Sequence, residues 1–198
     1  MPKLSTKALL IAAVFLTFPL AVSAADLGLL KGTGTVLMIR HAYAPGTGDP
    51  DNFDVARCET QRNLNDRGRD QAREWGDRLR GAGIEPSRIL SSQWCRCMET
   101  AELMAAKLME AGLMEVGPVE PFWPLNSFFT AREDREKNLS ALRGALAGLP
   151  TDAAVVVMVT HQVTISAITG RGVSSGEGWV LKLNGTREPE VIGSIPAP

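Results

Sequence analysis

The chain contains two histidines, His41 and His161. Each stands at the carboxyl end of an apolar run, His41 after TVLMIR and His161 after AAVVVMVT. A lone histidine more often packs than reacts, but two in equivalent places with no third favour a shared site. Arg40 directly precedes His41. An arginine that closes a buried strand needs an anionic partner, because an unpaired buried charge is costly. Arg96 supplies a second guanidinium shortly after Ser91-Ser92, in the opening turns of a helix, where free backbone N–H groups also favour an anion. Planar guanidinium groups match phosphate oxygens in bidentate fashion. Taken singly, Arg96 pairs as readily with Glu99 or Glu102 at the surface. Taken together, two arginines and two histidines suit phosphoryl transfer, which asks mainly for positioning and for positive charge around the transferring group. A neutral imidazole is then the attacking species near neutral pH.

These groups need strands to carry them. Thr35 to Ile39 (TVLMI) and Ala153 to Val159 (AAVVVMV) read as strands buried on both faces, the pattern of parallel sheets. Arg88 to Leu90 gives a third, shorter strand, and Val116 to Phe122 a fourth, interrupted by Pro118 and Pro121. Asp66 to Arg80 is helical, with Ala72, Trp75 and Leu79 on one stripe, Asp66 as N-cap and Gly81 as its stop. Further helices are expected over Gln93 to Ala111 and Glu133 to Ala147. Gly178 to Leu183 and Glu188 to Ile192 read as two strands joined by a hairpin-like turn at Asn184-Gly185. Strands alternating with helices predict an α/β fold, a three-layer sandwich with a mainly parallel sheet flanked by helices. Ligands of such sheets sit beyond the carboxyl ends of the strands, where both histidines fall.

The motifs resemble those of the histidine phosphatase superfamily, in its phosphoglycerate-mutase-like branch. Thr35 to His41 (TVLMIRH) resembles that family's strand and Arg-His signature. Leu64 to Ala72 (LNDRGRDQA) resembles the segment that opens its first helix. Ser91 to Ala101 (SSQWCRCMETA) resembles its Ser-x-x-x-Arg-x-x-x-Thr-Ala motif, and Val159-Thr160-His161 its second histidine. The resemblance implies the phosphoglycerate-mutase-like fold. It implies His41 as the nucleophile that becomes phosphohistidine, Arg40 and Arg96 as phosphate-binding arginines, and His161 as the second histidine on the transferring group. Neither a metal nor another cofactor is implied. Two features depart from the pattern. Ala42 follows Arg-His where the family often has glycine. No motif supplies a general acid: the stretch Pro124 to Phe129 lacks the glutamate of mutase-like members, and Gln162 stands where the phytase-like branch has aspartate. Asp49, Asp51, Asp54 and Glu59, in the long loop from Ala44 to Asn63, are the candidates. Loops of that length are often lids or binding loops. Arg57 and Arg62 from the same loop could reach an anionic substrate, and Trp94 and Trp123 could line the pocket mouth.

Lys3 and Lys7, the uncharged run from Ala8 to Val22 and the small residues Val22-Ser23-Ala24 have the layout of a secretory signal peptide, giving 1–24 as leader and 25–198 as a single domain. No stable membrane span is expected after cleavage. Export predicts a periplasmic or secreted protein in a compartment where disulfides persist. Three cysteines leave one unpaired, and Cys58 is expected to bond Cys95 or Cys97. A zinc site at Cys95-x-Cys97 lacks the second pair of ligands. A formal net charge of −1 gives no basic field for nucleic acid. The resemblance therefore implies a phosphatase acting on a small phosphorylated substrate, and its extension to small exported members implies an envelope sugar phosphate among the possibilities. The alternatives are a phosphohistidine phosphatase and a phosphate-ligand binding module with little turnover. A two-histidine cyclic phosphodiesterase is excluded, because His41-Ala42-Tyr43 and His161-Gln162-Val163 lack its His-x-Thr/Ser pattern.

Overall fold

The computed structural model describes residues 27–110 and 117–198, so the expected leader over 1–24 lies outside the described residues. Strand β1 (Thr35–Arg40) is followed by helix α1 (Asp66–Gly81), β2 (Arg88–Ser91), α2 (Cys95–Met109), β3 (Glu120–Pro121), α3 (Arg135–Gly148), β4 (Val156–Thr160), α4 (Gln162–Thr169), β5 (Gly178–Lys182) and β6 (Glu190–Ile195). The strands form one sheet in the order β3-β2-β4-β1-β5-β6. β3, β2, β4 and β1 run parallel, and β5 and β6 close one side through antiparallel pairings. The sheet is thus mixed but mostly parallel, the architecture the sequence predicts.

Alternation along the two central strands builds two cores. Leu37 and Ile39 of β1, with Val157 and Val159 of β4, face Trp75 and Leu79 of α1 and Met104 and Leu108 of α2. Val36, Met38, Val156 and Met158 face the other way, onto Leu142 and Leu146 of α3 and Ile165 of α4. Each such side chain contributes about 1.5–3 kcal/mol by leaving water, and a strand covered on both faces has no room for a polar residue before its end. The polar residues that end these strands are therefore the first able to reach solvent or a ligand.

Local details differ from expectation for identifiable reasons. The N-cap of α1 is Asn65, whose side chain accepts from Gly68 N–H at 3.0 Å, and Asp66 is the first helical residue. β3 spans two residues in place of the longer strand expected over Val116 to Phe122, of which Val116 lies outside the described residues. It is an edge strand, the one place a sheet tolerates Pro121. β5 and β6 are joined through residues 183–189, longer than the tight hairpin expected, with Gly185 at φ 74°. α4 has no counterpart in the sequence reading. Its QVTISAIT is rich in β-branched residues that lower helix propensity, so tertiary packing of Ile165 and the stop at Gly170 (φ 68°) define it.

Candidate active site

Sheet register brings the two histidines together. Arg40 of β1 is level with Thr160 of β4, and His41 N–H donates to the Thr160 carbonyl at 2.9 Å. The next residue of each strand is a histidine, and the rings lie edge to face with centroids 5.6 Å apart. His41 is 2% exposed and His161 4%.

The His41 ring is fixed by its own neighbour. Nδ1 lies 2.8 Å from the Ala42 carbonyl oxygen, an acceptor, so Nδ1 carries the proton and Nε2 keeps its lone pair. Burial, followed by the charge of Arg96, pushes the His41 pKa down to about 3, and the ring is neutral at physiological pH. His161 is likewise held well below its ordinary value, by burial first and then by Arg96 and His41. Its Nε2 lies 2.8 Å from Ser92 Oγ. The Ser92 hydroxyl donates to Asn126 Oδ1, which also accepts from Gln93 N–H. With its proton so committed, Ser92 Oγ accepts from His161 Nε2–H. Cys97 lies beneath, its sulfur 3.5 Å from the same nitrogen; burial pushes this thiol up to about 12, which leaves it protonated and unreactive.

Three arginines surround the histidines. Arg96, on the first turn of α2, is 3% exposed. Its terminal nitrogens donate to both carboxylate oxygens of Asp49, at 2.6 and 3.1 Å. The surface pair with Glu99 or Glu102 is thereby overturned: Glu99 pairs with Arg69 at 2.6 Å, while the Arg96 side chain turns inward. Arg40 donates to the Val173 carbonyl at 3.2 Å. Nε of Arg40 and Nε of Arg96 are both buried without a protein partner, unusual for groups whose desolvation is costly. Arg62 is held by the carbonyls of Gly48 and Ala44 at 2.8 and 2.6 Å. Burial and the mutual repulsion of these guanidinium groups lower the pKa of Arg40 and Arg62. All three arginines line a cavity of about 430 Å³ together with His41, His161 and Asp49. Phe53 stacks on Trp94 at 4.9 Å, and with Phe129 these rings form the apolar part of the cavity wall.

The loop after β1 is pinned to the start of α2. A disulfide joins Cys58 to Cys95, which decides between the two expected partners and leaves Cys97 free. Cys95 N–H donates to Gln61 Oε1 at 2.9 Å, and Trp94 Nε1 donates to Asp49 at 3.2 Å. Of the loop groups named from sequence, Asp49, Asp51 and Arg62 reach the cavity. Arg57 pairs with Asp54 away from it. Trp94 lines the cavity, whereas Trp123 lies on the surface with Lys137 over its ring. Sequence reasoning missed Ser92 and Asn126 as the pair that orients His161. Asn126 was legible only as the absence of a carboxylate in its stretch. Among the described residues no cluster of three His, Cys, Asp or Glu could hold a metal, and no helix is long and apolar enough to cross a membrane.

Known structures share this fold. The protein histidine phosphatase SixA in complex with tungstate superposes with a TM-score of 0.61 at 18% identity, over 81% of this chain and 96% of that one. The ecdysone phosphate phosphatase of Bombix mori gives 0.58 at 15% identity, over 83% and 93%. The mycobacterial glucosyl-3-phosphoglycerate phosphatase gives 0.52 at 15% identity, over 81% and 98%. At these identities the likeness concerns the fold. No curated protein sequence matches the chain. Residues 36–118, which hold Arg40, His41, Asp49, Arg62 and Arg96, match the model of the histidine phosphatase superfamily (branch 1), while His161 lies beyond the matched segment and reaches the others through the β1–β4 register. Over residues 36–118 the chain is similar to branch 1 of the histidine phosphatase superfamily.

Proposed function

We propose that this phosphatase hydrolyses a phosphomonoester through a phosphohistidine formed on His41. The observation that carries the reading is the Nδ1 contact with the Ala42 carbonyl, which leaves Nε2 unprotonated in a cavity walled by three arginines. Nε2 attacks phosphorus, the ester oxygen departs, and water then releases the phosphate. Arg40 and Arg96 bind the non-bridging oxygens through donors that include their unpartnered Nε atoms. His161, its Nε2–H committed to Ser92, stays neutral and walls the cavity beside the transferring group. A simple anion-binding module would use the arginines but has no need of a nucleophile in a fixed tautomer.

A periplasmic or secreted location belongs to the same reading. The three-part layout of residues 1–24 and a disulfide in a small domain support it. An exported phosphatase meets envelope sugar phosphates, and the rings of Phe53, Trp94 and Phe129 offer faces on which a sugar can stack.

The test is hydrolysis of 4-nitrophenyl phosphate by the protein without residues 1–24, with acid-quench labelling. Turnover and label on histidine are expected, both lost in His41→Ala. Arg96→Ala should lower the rate by about two orders of magnitude or more, the usual cost of removing one donor to a charged transition state. Activity that survives His41→Ala would end the covalent reading.

A further inference from the structure

The loop after β1 places a carboxylate where a phosphate must bind. Both oxygens of Asp49 are taken up by the terminal nitrogens of Arg96. The same carboxylate accepts from Arg62 N–H at 3.0 Å and from Trp94 Nε1 at 3.2 Å, so it stays anchored at the cavity wall without Arg96. Two anions cannot both chelate one guanidinium edge, and a phosphate dianion in the cavity competes for these N–H groups with the greater charge. The other loop acids are placed differently. Asp54 is tied to Arg57 outside the cavity, Glu59 is exposed, and Asp51 stands at the exposed rim.

We propose that Asp49 is the proton donor to the leaving oxygen, released for that role when the substrate's phosphate takes its place on Arg96; this rests on the phosphohistidine reading above. In the free protein two influences oppose each other. Burial raises the Asp49 carboxyl, while the hydrogen bonds and charge of Arg96, aided by Arg62 N–H and Trp94, outweigh it and hold the group below its ordinary value. Displacement from Arg96 removes the main influence that lowers it and leaves burial to raise it, and the phosphate beside it adds a negative charge that favours the protonated form. The carboxyl takes up a proton from solvent and is ready to donate.

The steps balance. The Nε2 lone pair of His41 forms the N–P bond as the P–O bond to the leaving group breaks. The departing electron pair takes the Asp49 proton, giving an alcohol and a carboxylate. Nδ1–H of the phosphohistidine remains against the Ala42 carbonyl. Water then attacks phosphorus and gives its proton to Asp49, and the N–P electron pair returns to Nε2. When phosphate leaves, Asp49 returns the proton to solvent and closes again on Arg96, so each turnover ends with the seat refilled by the chain's own anion.

Asp49→Asn keeps the shape and removes both the charge and the transferable proton. Two quantities test it in the full domain. The first is kcat/KM across 4-nitrophenyl, phenyl and simple alkyl phosphates. The second is the Kd of inorganic phosphate by calorimetry. The loss should grow with leaving-group basicity, from about threefold for 4-nitrophenyl to about a hundredfold for an alkyl ester. Phosphate should bind about tenfold more tightly, because the competing internal anion is gone. An unchanged urea midpoint checks that the variant folds, and Asp49→Glu, which restores a carboxyl, should recover part of the alkyl-ester rate. A uniform loss across all three esters, or phosphate binding no tighter than in the wild type, overturns the proposal and leaves Asp49 as a holder of Arg96. Absence of turnover by the wild type with every ester sinks the phosphohistidine reading itself, and this proposal with it.

Discussion

At the scale of single residues the site is decided by who holds which proton. The Ala42 carbonyl settles the His41 tautomer, and Ser92 with Asn126 settles that of His161. Both rings are buried against arginines, so charging either is opposed by lost solvation and by Coulomb repulsion. This has a kinetic consequence. An exposed histidine with pKa about 6.5 would be roughly 97% protonated at pH 5 and would lose about thirtyfold in nucleophile between pH 8 and pH 5. With its pKa near 3, His41 stays neutral across that interval. The single-turnover rate of phosphohistidine formation from 4-nitrophenyl phosphate, corrected for the ionisation of the ester, should vary by less than about threefold between pH 8 and pH 5. A thirtyfold fall with a midpoint near 6.5 would show that His41 titrates as a solvated group.

At the scale of elements the loop after β1 is covalently anchored. Residues 44–63 carry Asp49 and Arg62 but no strand or α-helix, only a short 3-10 turn at Cys58–Thr60. Cys58–Cys95 fastens this loop one residue from Arg96. Reduction, or Cys58→Ser, should cost about 2–4 kcal/mol of stability by freeing the unfolded chain, and should raise KM more than it lowers kcat because the arginine cage loosens. Urea unfolding and steady-state kinetics with and without reductant measure both; equal stability and unchanged KM would mean that the non-covalent contacts suffice. The elements were unevenly legible in the sequence. β1 and β4 were plain, since buried parallel strands are continuous apolar runs and Arg40-His41 and Thr160-His161 end them. α1 was plain from its stripe. α4 was hidden because its β-branched residues suggest a strand and only tertiary contacts make it helical. The Asp49–Arg96 pair was also hidden. It spans 47 residues, and no local pattern marks which of four loop acids turns inward.

At the scale of the whole molecule, the site is an electrostatic liability built into one end of the sheet. Arg40, Arg62 and Arg96 share a cavity wall with the Asp49 carboxylate, and two neutral histidines lie between them. The fold holds this cluster together with the packing of the two cores on either face of β1 and β4. Two linked consequences follow for stability. The folded pKa of each histidine is depressed below the unfolded value of about 6.5, so the unfolded state binds more protons below that pH. The stability this gives is fully present above about pH 6.5 and is lost as pH falls towards 3, the value to which His41 is pushed. The urea midpoint should therefore drop between pH 7.5 and pH 4.5, and His41→Asn, with one titrating site removed, should drop less than the wild type over the same interval. On the proposed reading, inorganic phosphate acts in the opposite direction. A phosphate that binds only the assembled arginine cage relieves its repulsion, and at a hundred times its Kd it should add about 2.7 kcal/mol. That gain should be larger still in Asp49→Asn at equal phosphate concentration, since the cage then lacks its internal counter-ion. Identical pH slopes for the wild type and His41→Asn would place the acid sensitivity elsewhere in the fold. A midpoint indifferent to phosphate would mean that the arginines do not form the anion seat.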